Sequence, residues 1–170
     1  LGHPERAWRA LSQWRSSWLS REGVLAIVVL GALGGWFVFT FIFGPPPLGF
    51  GVIITCFIML TVYATSMIYA SLKTVACWNN PLTPICYLLF SACGGALIVL
   101  WILSFFDQAF TRSILLIAMA LLGGAWIAKF AWWWNLDNCI SKSTVETATG
   151  LGSFGKVRSL MPPHTSESSL

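Results

Sequence analysis

The chain has 170 residues, of which 56% are hydrophobic and only 9% are charged, and its formal net charge is +4. Soluble domains carry roughly 25% charged residues, so this chain has too little polar surface to fold as a soluble globule. The excess positive charge is better explained by membrane topology than by nucleic acid, so we expect the lipid bilayer and no nucleic acid as a partner. The composition predicts an integral membrane protein.

The first twenty residues are too polar to span a membrane. Trp8, Leu11, Arg15, Trp18 and Leu19 recur at helical spacing. This pattern predicts a short helix in the membrane interface, with tryptophans among the headgroups and arginines reaching phosphates. A positive flank that only sets the topology is an equal alternative. In either case residues 1–22 are assigned to an interfacial cytoplasmic segment.

Four apolar runs follow, and only the last contains a charged residue. They are Gly23 to Phe43, Leu48 to Leu72, Leu82 to Phe106, and Ser113 to Trp134, which includes Lys129. Each is long enough to cross a hydrocarbon core about 30 Å thick as a helix, the form that satisfies backbone groups in lipid. We predict an all-α membrane protein, with a four-helix transmembrane module at 23–136 and a polar cytoplasmic connection or tail at 137–170.

Basic residues are divided unequally between the two sides of these four spans. Eight lie before the first span, between the second and third, or after the fourth, whereas Arg112 lies on the opposite side. Positively charged segments stay in the cytoplasm, so both ends of this stretch are predicted to be cytoplasmic. Lys129 lies near the cytoplasmic end of its span and is predicted to snorkel toward that interface.

Small residues at a spacing of four recur within the spans. Gly31 and Gly35 lie in the first span, and Ala120, Gly124 and Ala128 lie in the fourth. Because small side chains let two backbones approach closely, these positions are predicted to contact neighbouring helices.

The residues indicate no redox centre or hydrolytic site in this stretch. The two histidines, His3 and His164, lie outside the spans, so a bis-histidine haem has no ligand pair within the helices. The five cysteines form no CxxC or CxxCH motif, and the chain has no Gly-rich phosphate loop and no nucleophile elbow. We therefore predict no catalytic residue, no metal site and no cofactor bound in this chain.

Glu22 stands where the first span meets the interface, directly after Arg21. A charged group at this place is costly and requires a reason. One interpretation is a salt bridge with a neighbouring arginine, or exposure to water. The other is a proton acceptor beside a quinol pocket with apolar and aromatic walls, because oxidising a quinol releases two protons and two electrons.

Several short stretches, distributed along most of the chain, match the sequence pattern of one protein family in the same order. They are residues 1–7 (LGHPERA), 16–22 (SSWLSRE), 69–75 (YASLKTV), Trp78, Thr83-Pro84, 146–152 (ETATGLG), 155–158 (GKVR) and 163–165 (PHT). Together they resemble the membrane-anchor subunit of dimethyl sulfoxide reductase-type molybdoenzymes, the DmsC family. Two features depart from that family. Ala76 stands where the family has Pro, and the family histidine before the LGxP motif precedes Leu1, a position that His3 does not replace.

The resemblance implies an anchor of about eight spans in a bacterial inner membrane, so the four helices would be part of an eight-helix bundle. About two further spans would precede Leu1, and about two would follow Leu170. It also implies a non-catalytic subunit, which docks an iron–sulfur subunit that connects to a catalytic subunit with a molybdenum–pterin cofactor. The anchor itself would bind menaquinol or ubiquinol from the quinone pool. The glutamate of the family's LSxE motif matches Glu22.

These points predict a quinol-binding site at the cytoplasmic edge of the helices. Glu22 is its proton acceptor, Arg21 or Arg15 tunes the local charge, and Trp18 and Tyr69 line the pocket. Electrons would pass directly to the nearest cluster of the iron–sulfur subunit, in anaerobic-type respiration. The polar tail, which includes Lys156, is predicted to dock that subunit.

Two alternatives stay open. A cytoplasmic sulfite-oxidising complex has the same kind of anchor and reduces quinone, so the residues leave the electron direction undetermined. A small transporter or a structural scaffold is the alternative from a different class. Transporters place polar groups near the middle of the bilayer. The mid-span polar residues of this chain are of a kind that more often packs helices: Thr40, Thr61, Thr65, Ser66 and Ser91.

Overall fold

The computed structural model describes residues 8–73, 75, 77–105, 111–138 and 155. All regular structure in this part of the chain is helical, in five helices: α1 (Trp8–Ser12), α2 (Trp18–Phe43), α3 (Leu48–Ala70), α4 (Leu82–Leu103) and α5 (Thr111–Asp137). The last four are long and apolar enough to cross a membrane. The prediction of an all-α protein with four transmembrane helices is confirmed. Most of the predicted tail lies outside the described residues.

The first spanning helix begins earlier than predicted, at Trp18 instead of Gly23. Ser17 caps it, because its hydroxyl oxygen accepts a hydrogen bond from the backbone N–H of Ser20 at 3.4 Å. The helix ends at Gly44, whose φ of +88° suits a residue without a side chain, and three prolines follow. Glu22 therefore lies inside the first spanning helix and not before it.

The short helix that the spacing predicts is present, but it does not extend from Trp8 to Leu19. Helix α1 ends at Ser12, a turn follows, and Trp18 and Leu19 already belong to α2. The segment folds back on α2, because the Ser20 hydroxyl donates a hydrogen bond to the carbonyl of Leu11 at 3.0 Å. Periodicity could not show this turn, because the apolar spacing continues across it.

The spanning helices lie side by side in chain order. Helix α2 packs on α3, α3 on α4, and α4 on α5, while the described residues show no packing of α2 on α4 or α5, or of α3 on α5. The arrangement is an open row and not a closed four-helix bundle. Most of the large apolar side chains are consequently exposed, and in a membrane they meet lipid or further helices.

The tightest packing in the row is between α4 and α5, and small residues form it. Cys93, Ala118 and Ala125 are only 3%, 1% and 0% exposed. Of the five small residues predicted to make contacts, only Ala128 is buried. Ala120 is exposed, and a side chain added at Gly31, Gly35 or Gly124 would meet nothing within 4 Å. Small residues therefore form the α4–α5 contact, but the spacing of four does not identify which of them take part.

One end of the row combines the start of α2, the end of α3, the start of α4 and the end of α5. The described basic residues at this end are Arg9, Arg15, Arg21 and Lys73, whereas Arg112 is at the opposite end. We call the end with Arg9, Arg15, Arg21 and Lys73 the basic end. Glu22 and Lys129 both lie within a few turns of it.

Candidate functional site

Glu22 is held by a hydroxyl group of the neighbouring helix. The Thr65 hydroxyl lies 2.7 Å from Oε1 of Glu22, and this hydrogen bond joins the second turn of α2 to the end of α3. Both side chains are half-buried. A carboxylate that is partly removed from water needs such a partner, so the interaction explains how Glu22 is accommodated at this depth.

The Thr65 hydroxyl has a second acceptor within reach, the carbonyl oxygen of Thr61 at 3.0 Å. A hydroxyl group has one hydrogen to donate, but its oxygen can also accept. It can donate to ionised Glu22. Alternatively, it can donate to Thr61 while its oxygen accepts from protonated Glu22. The pair therefore satisfies Glu22 in both protonation states, which suits a group that takes up and releases a proton.

Two aromatic rings also lie at the contact between α2 and α3, near the Glu22–Thr65 pair. Trp18, one turn before Glu22, meets Tyr63 edge to face, with ring centroids 6.0 Å apart and an interplanar angle of 87°. Trp18 is half-buried and Tyr63 is 38% exposed. At the basic end, the contact between α2 and α3 thus contains a carboxylate, a hydroxyl group and two aromatic rings.

An apolar cavity of about 340 Å³ lies further along the same pair of helices. Its walls include Val28, Trp36, Phe50 and Phe57, and it extends to Pro46 in the link between α2 and α3. Gly51 makes room for Trp36 here, since a Cβ at Gly51 would lie 3.0 Å from the indole ring. Glu22 is not part of this cavity, which begins at Val28, one to two turns beyond it.

The Arg21 guanidinium forms its hydrogen bonds with the segment before α2 and not with Glu22. Its guanidinium donates to the carbonyl oxygens of Trp14 at 2.8 Å and Arg15 at 2.7 Å, and it lies 4.2 Å from the centre of the Trp18 ring. The Arg15 side chain is exposed beside the Trp14 ring. Within the described residues, Arg21 holds the turn against α2, and the hydrogen-bond partner of Glu22 is Thr65.

Tyr69 belongs to a different contact, between α3, α4 and the link that joins them. Its ring stacks on Tyr87 with centroids 6.0 Å apart, and it meets Trp78 edge to face at 5.6 Å. The link is fixed by a hydrogen bond from the Asn79 amide to the carbonyl of Ala70 at 2.6 Å. Of the five predicted quinol-binding residues, Glu22 and Trp18 thus face α3 together, whereas Tyr69 lies in a separate cluster. The quinol-binding role of all five stays a prediction.

Sequence reasoning missed Thr65 and Tyr63. A threonine within a span usually packs against another helix, and for that reason Thr65 was not predicted as a site residue. The sequence does, however, contain a signal for its contact with Glu22. Antiparallel helices joined by a short link place the start of one beside the end of the other. Glu22 lies near the start of α2 and Thr65 near the end of α3, so the two are level. A carboxylate in a span needs a donor, and Thr65 is a hydroxyl at that level.

Comparison with known proteins decides the family. Residues 1–154 match the family described as DMSO reductase anchor subunit (DmsC). The chain belongs to this family. It is also 38% identical over 108 residues to a sulfite dehydrogenase subunit of Allochromatium vinosum, a match that covers 56% of this chain and 33% of that protein. No solved structure matches the chain.

The predicted resemblance to DmsC is therefore confirmed. This DmsC-family chain is a multi-pass membrane protein of an anchor-subunit family. It spans about a third of the length of the curated relative that it matches. The predicted eight-helix bundle stays a prediction.

The described residues of this DmsC-family chain offer no metal site. No group of three or more His, Cys, Asp or Glu side chains among them could hold a metal ion. Cys86 and Cys93 are buried cysteines without a disulfide, and they lie on α4 as small apolar residues. His3 and His164 lie outside the described residues. The predicted absence of a bound cofactor stays a prediction.

Proposed function

We propose that this DmsC-family chain is the quinol- or quinone-reactive part of the membrane anchor of a molybdenum oxidoreductase complex. The observation that carries this proposal is the half-buried carboxylate of Glu22, hydrogen-bonded to Thr65 beside Trp18 and Tyr63. A quinol must lose two protons when it gives up two electrons. A carboxylate with a partner in both of its protonation states is suited to receive one of them.

The mechanism uses each of these groups in turn. The quinol ring binds beside Trp18 and Tyr63, with one hydroxyl directed at Glu22. Glu22 accepts the proton of that hydroxyl, and Thr65 turns its own hydrogen to the carbonyl of Thr61 and accepts from the new carboxylic acid. The second proton leaves to water at the basic end. The apolar cavity that begins at Val28 accommodates the isoprenoid tail.

The two electrons leave to a partner subunit. We propose an iron–sulfur subunit docked at the basic end, which connects to a molybdenum–pterin catalytic subunit. Iron–sulfur clusters supply one-electron transfer when bound to that partner. The basic end would face the cytoplasm of a bacterial cell, since positively charged segments of inner-membrane proteins stay on that side. Co-purification with molybdenum and iron supports this anchor role, whereas solute flux through the protein in liposomes without partners supports a transporter.

Electron transfer in the opposite direction is the second candidate. The A. vinosum relative is named as part of a sulfite dehydrogenase, and a complex that oxidises sulfite would deliver electrons to quinone. Glu22 would then donate one of the two protons that the quinone takes up on reduction, and water at the basic end would supply the other. One assay of the complex distinguishes the two candidates. It compares the rate of quinol oxidation coupled to dimethyl sulfoxide reduction with the rate of quinone reduction coupled to sulfite oxidation.

Replacing Thr65 by Val tests the proposed proton acceptor. Valine has nearly the same shape but no hydroxyl, so Glu22 loses its partner in both protonation states. Without this contact the carboxylate is no longer held in place beside the quinol, and a misplacement of about 1 Å can cost about 100-fold, so we expect quinol-linked turnover to fall about 10- to 100-fold. Turnover driven by a dye that feeds the clusters directly should stay near the wild-type rate. The two rates are measured on the assembled complex.

Two further variants complete this test. Thr65→Ser keeps the hydroxyl and should retain most of the quinol-linked rate. Thr55→Val removes an exposed hydroxyl of α3 that bonds only to its own helix, at the carbonyl of Gly51, and should change neither rate. A Thr65→Val complex with full quinol-linked activity would show that Glu22 does not depend on this hydroxyl.

A further inference from the structure

Lys129 is a second charged residue near the basic end. It lies on α5, the last helix of the row, whereas Glu22 lies on α2, the first. Its ammonium lies 4.0 Å from the centre of the Trp132 ring and 5.4 Å from that of Trp133. The Trp132 indole N–H donates to the hydroxyl of Thr83, the second residue of α4, at 3.1 Å. The Lys129 ammonium therefore lies toward the end of α5, near the level at which α4 begins, and the predicted snorkelling stays a prediction.

No carboxylate neutralises this ammonium within the described residues. Its contacts there are the two indole rings, which attract a cation through their faces but carry no charge. Asp137 lies two turns further along α5 and is exposed to solvent. Glu22 is on α2, which does not touch α5. A half-buried cation in apolar surroundings is expected to have an anion beside it.

A cavity of about 250 Å³ adjoins the ammonium between α4 and α5. Its walls are Cys86, Tyr87 and Phe90 of α4, and Lys129 itself. Tyr87 is 38% exposed and Phe90 is 39% exposed, so the cavity is accessible from the side of the helix row. It therefore has an apolar wall for a hydrocarbon chain and one positive charge near the membrane surface.

We propose that Lys129 and this cavity bind an anionic phospholipid, with the phosphate on the Lys129 ammonium and the start of an acyl chain along Tyr87 and Phe90. Basic pockets between membrane helices near the surface of a bilayer recognise anionic headgroups in this way. A quinone or quinol is neutral and gains less from a fixed ammonium than a phosphodiester does. The site is thus distinct from the one proposed at Glu22, and it does not depend on that proposal.

Lipid titration followed by native mass spectrometry tests this site. The assembled complex is stripped of lipid in detergent and titrated with phosphatidylglycerol or phosphatidylcholine. Loss of one lysine contact to an anionic lipid is expected to weaken phosphatidylglycerol binding about fivefold in Lys129→Gln. Binding of phosphatidylcholine should not change. Lys129→Arg keeps the charge and should bind phosphatidylglycerol like the wild type, which also shows that the position tolerates substitution.

The matched control is Lys73→Gln, since Lys73 is an exposed lysine at the same end of the row. It should bind phosphatidylglycerol like the wild type. Equal affinity of the wild type for both lipids would overturn the proposal, as would equal weakening in Lys73→Gln and Lys129→Gln. Displacement of phosphatidylglycerol by a quinone analogue, with a raised KM for quinol in Lys129→Gln, would assign the cavity to quinol instead. A protein carboxylate that occupies Lys129 in the complex would abolish lipid selectivity and would also overturn it.

Discussion

Replacing Glu22 by Gln is expected to lower quinol-linked turnover about 10²- to 10⁴-fold, the usual contribution of a general acid or base. Gln has nearly the same size and can still accept the hydrogen bond of Thr65, so packing between α2 and α3 should persist. What it cannot do is take up the quinol proton. Turnover driven by a dye that gives electrons directly to the proposed iron–sulfur partner should therefore remain at the wild-type level in the same preparation.

A matched control for this experiment is Asp137→Asn. Asp137 is an exposed carboxylate at the same end of the row, on α5, and it contacts neither α2 nor α3. Its removal should leave both rates unchanged. If Glu22→Gln loses both rates equally, the carboxylate supports assembly and not proton transfer. If it keeps both, Glu22 is a structural residue of the interface, and the anchor role depends on the family alone.

Replacing Ala125 by Leu is expected to destabilise the protein by overpacking the contact between α4 and α5. Ala125 is 0% exposed, and three additional carbon atoms have no space between the two helices. Overpacking of this kind costs about 1–3 kcal/mol. The measurement is the free energy of unfolding of the purified protein in mixed detergent micelles, together with the yield of assembled complex.

Ala120→Leu on the same helix provides the comparison. Ala120 is exposed, so a larger apolar side chain meets lipid and should change the free energy of unfolding by less than about 0.5 kcal/mol. Equal destabilisation by both substitutions would mean that the α4–α5 contact differs from the one described.

The four spanning helices could be predicted closely from the sequence, because long uncharged runs in lipid have only one way to satisfy the backbone. The proline link and the polar links fixed most of the boundaries. The start of α2 was missed because the cap at Ser17 is a single residue within a charged segment. The open row could not be predicted either, since apolar faces that meet lipid and apolar faces that meet protein have the same composition.

The candidate site was predicted only in part. A lone carboxylate at the edge of a span drew attention to Glu22, and that signal needs no knowledge of packing. Thr65 was missed because its role depends on the relative height of two helices. The positions of Arg21 and Tyr69 depend on a turn and on a link, and the residues in those segments do not reveal which carbonyl or ring each side chain meets.

Labelling with a photoreactive quinone tests the central claim most directly. The assembled complex is irradiated with an azido-quinone, digested and analysed by mass spectrometry, with and without excess quinol. A quinol site at Glu22 predicts label on the peptides that contain Trp18 and Tyr63, reduced by quinol. Label that quinol displaces only from other parts of the complex, with none on these two helices, would contradict a quinol site between α2 and α3.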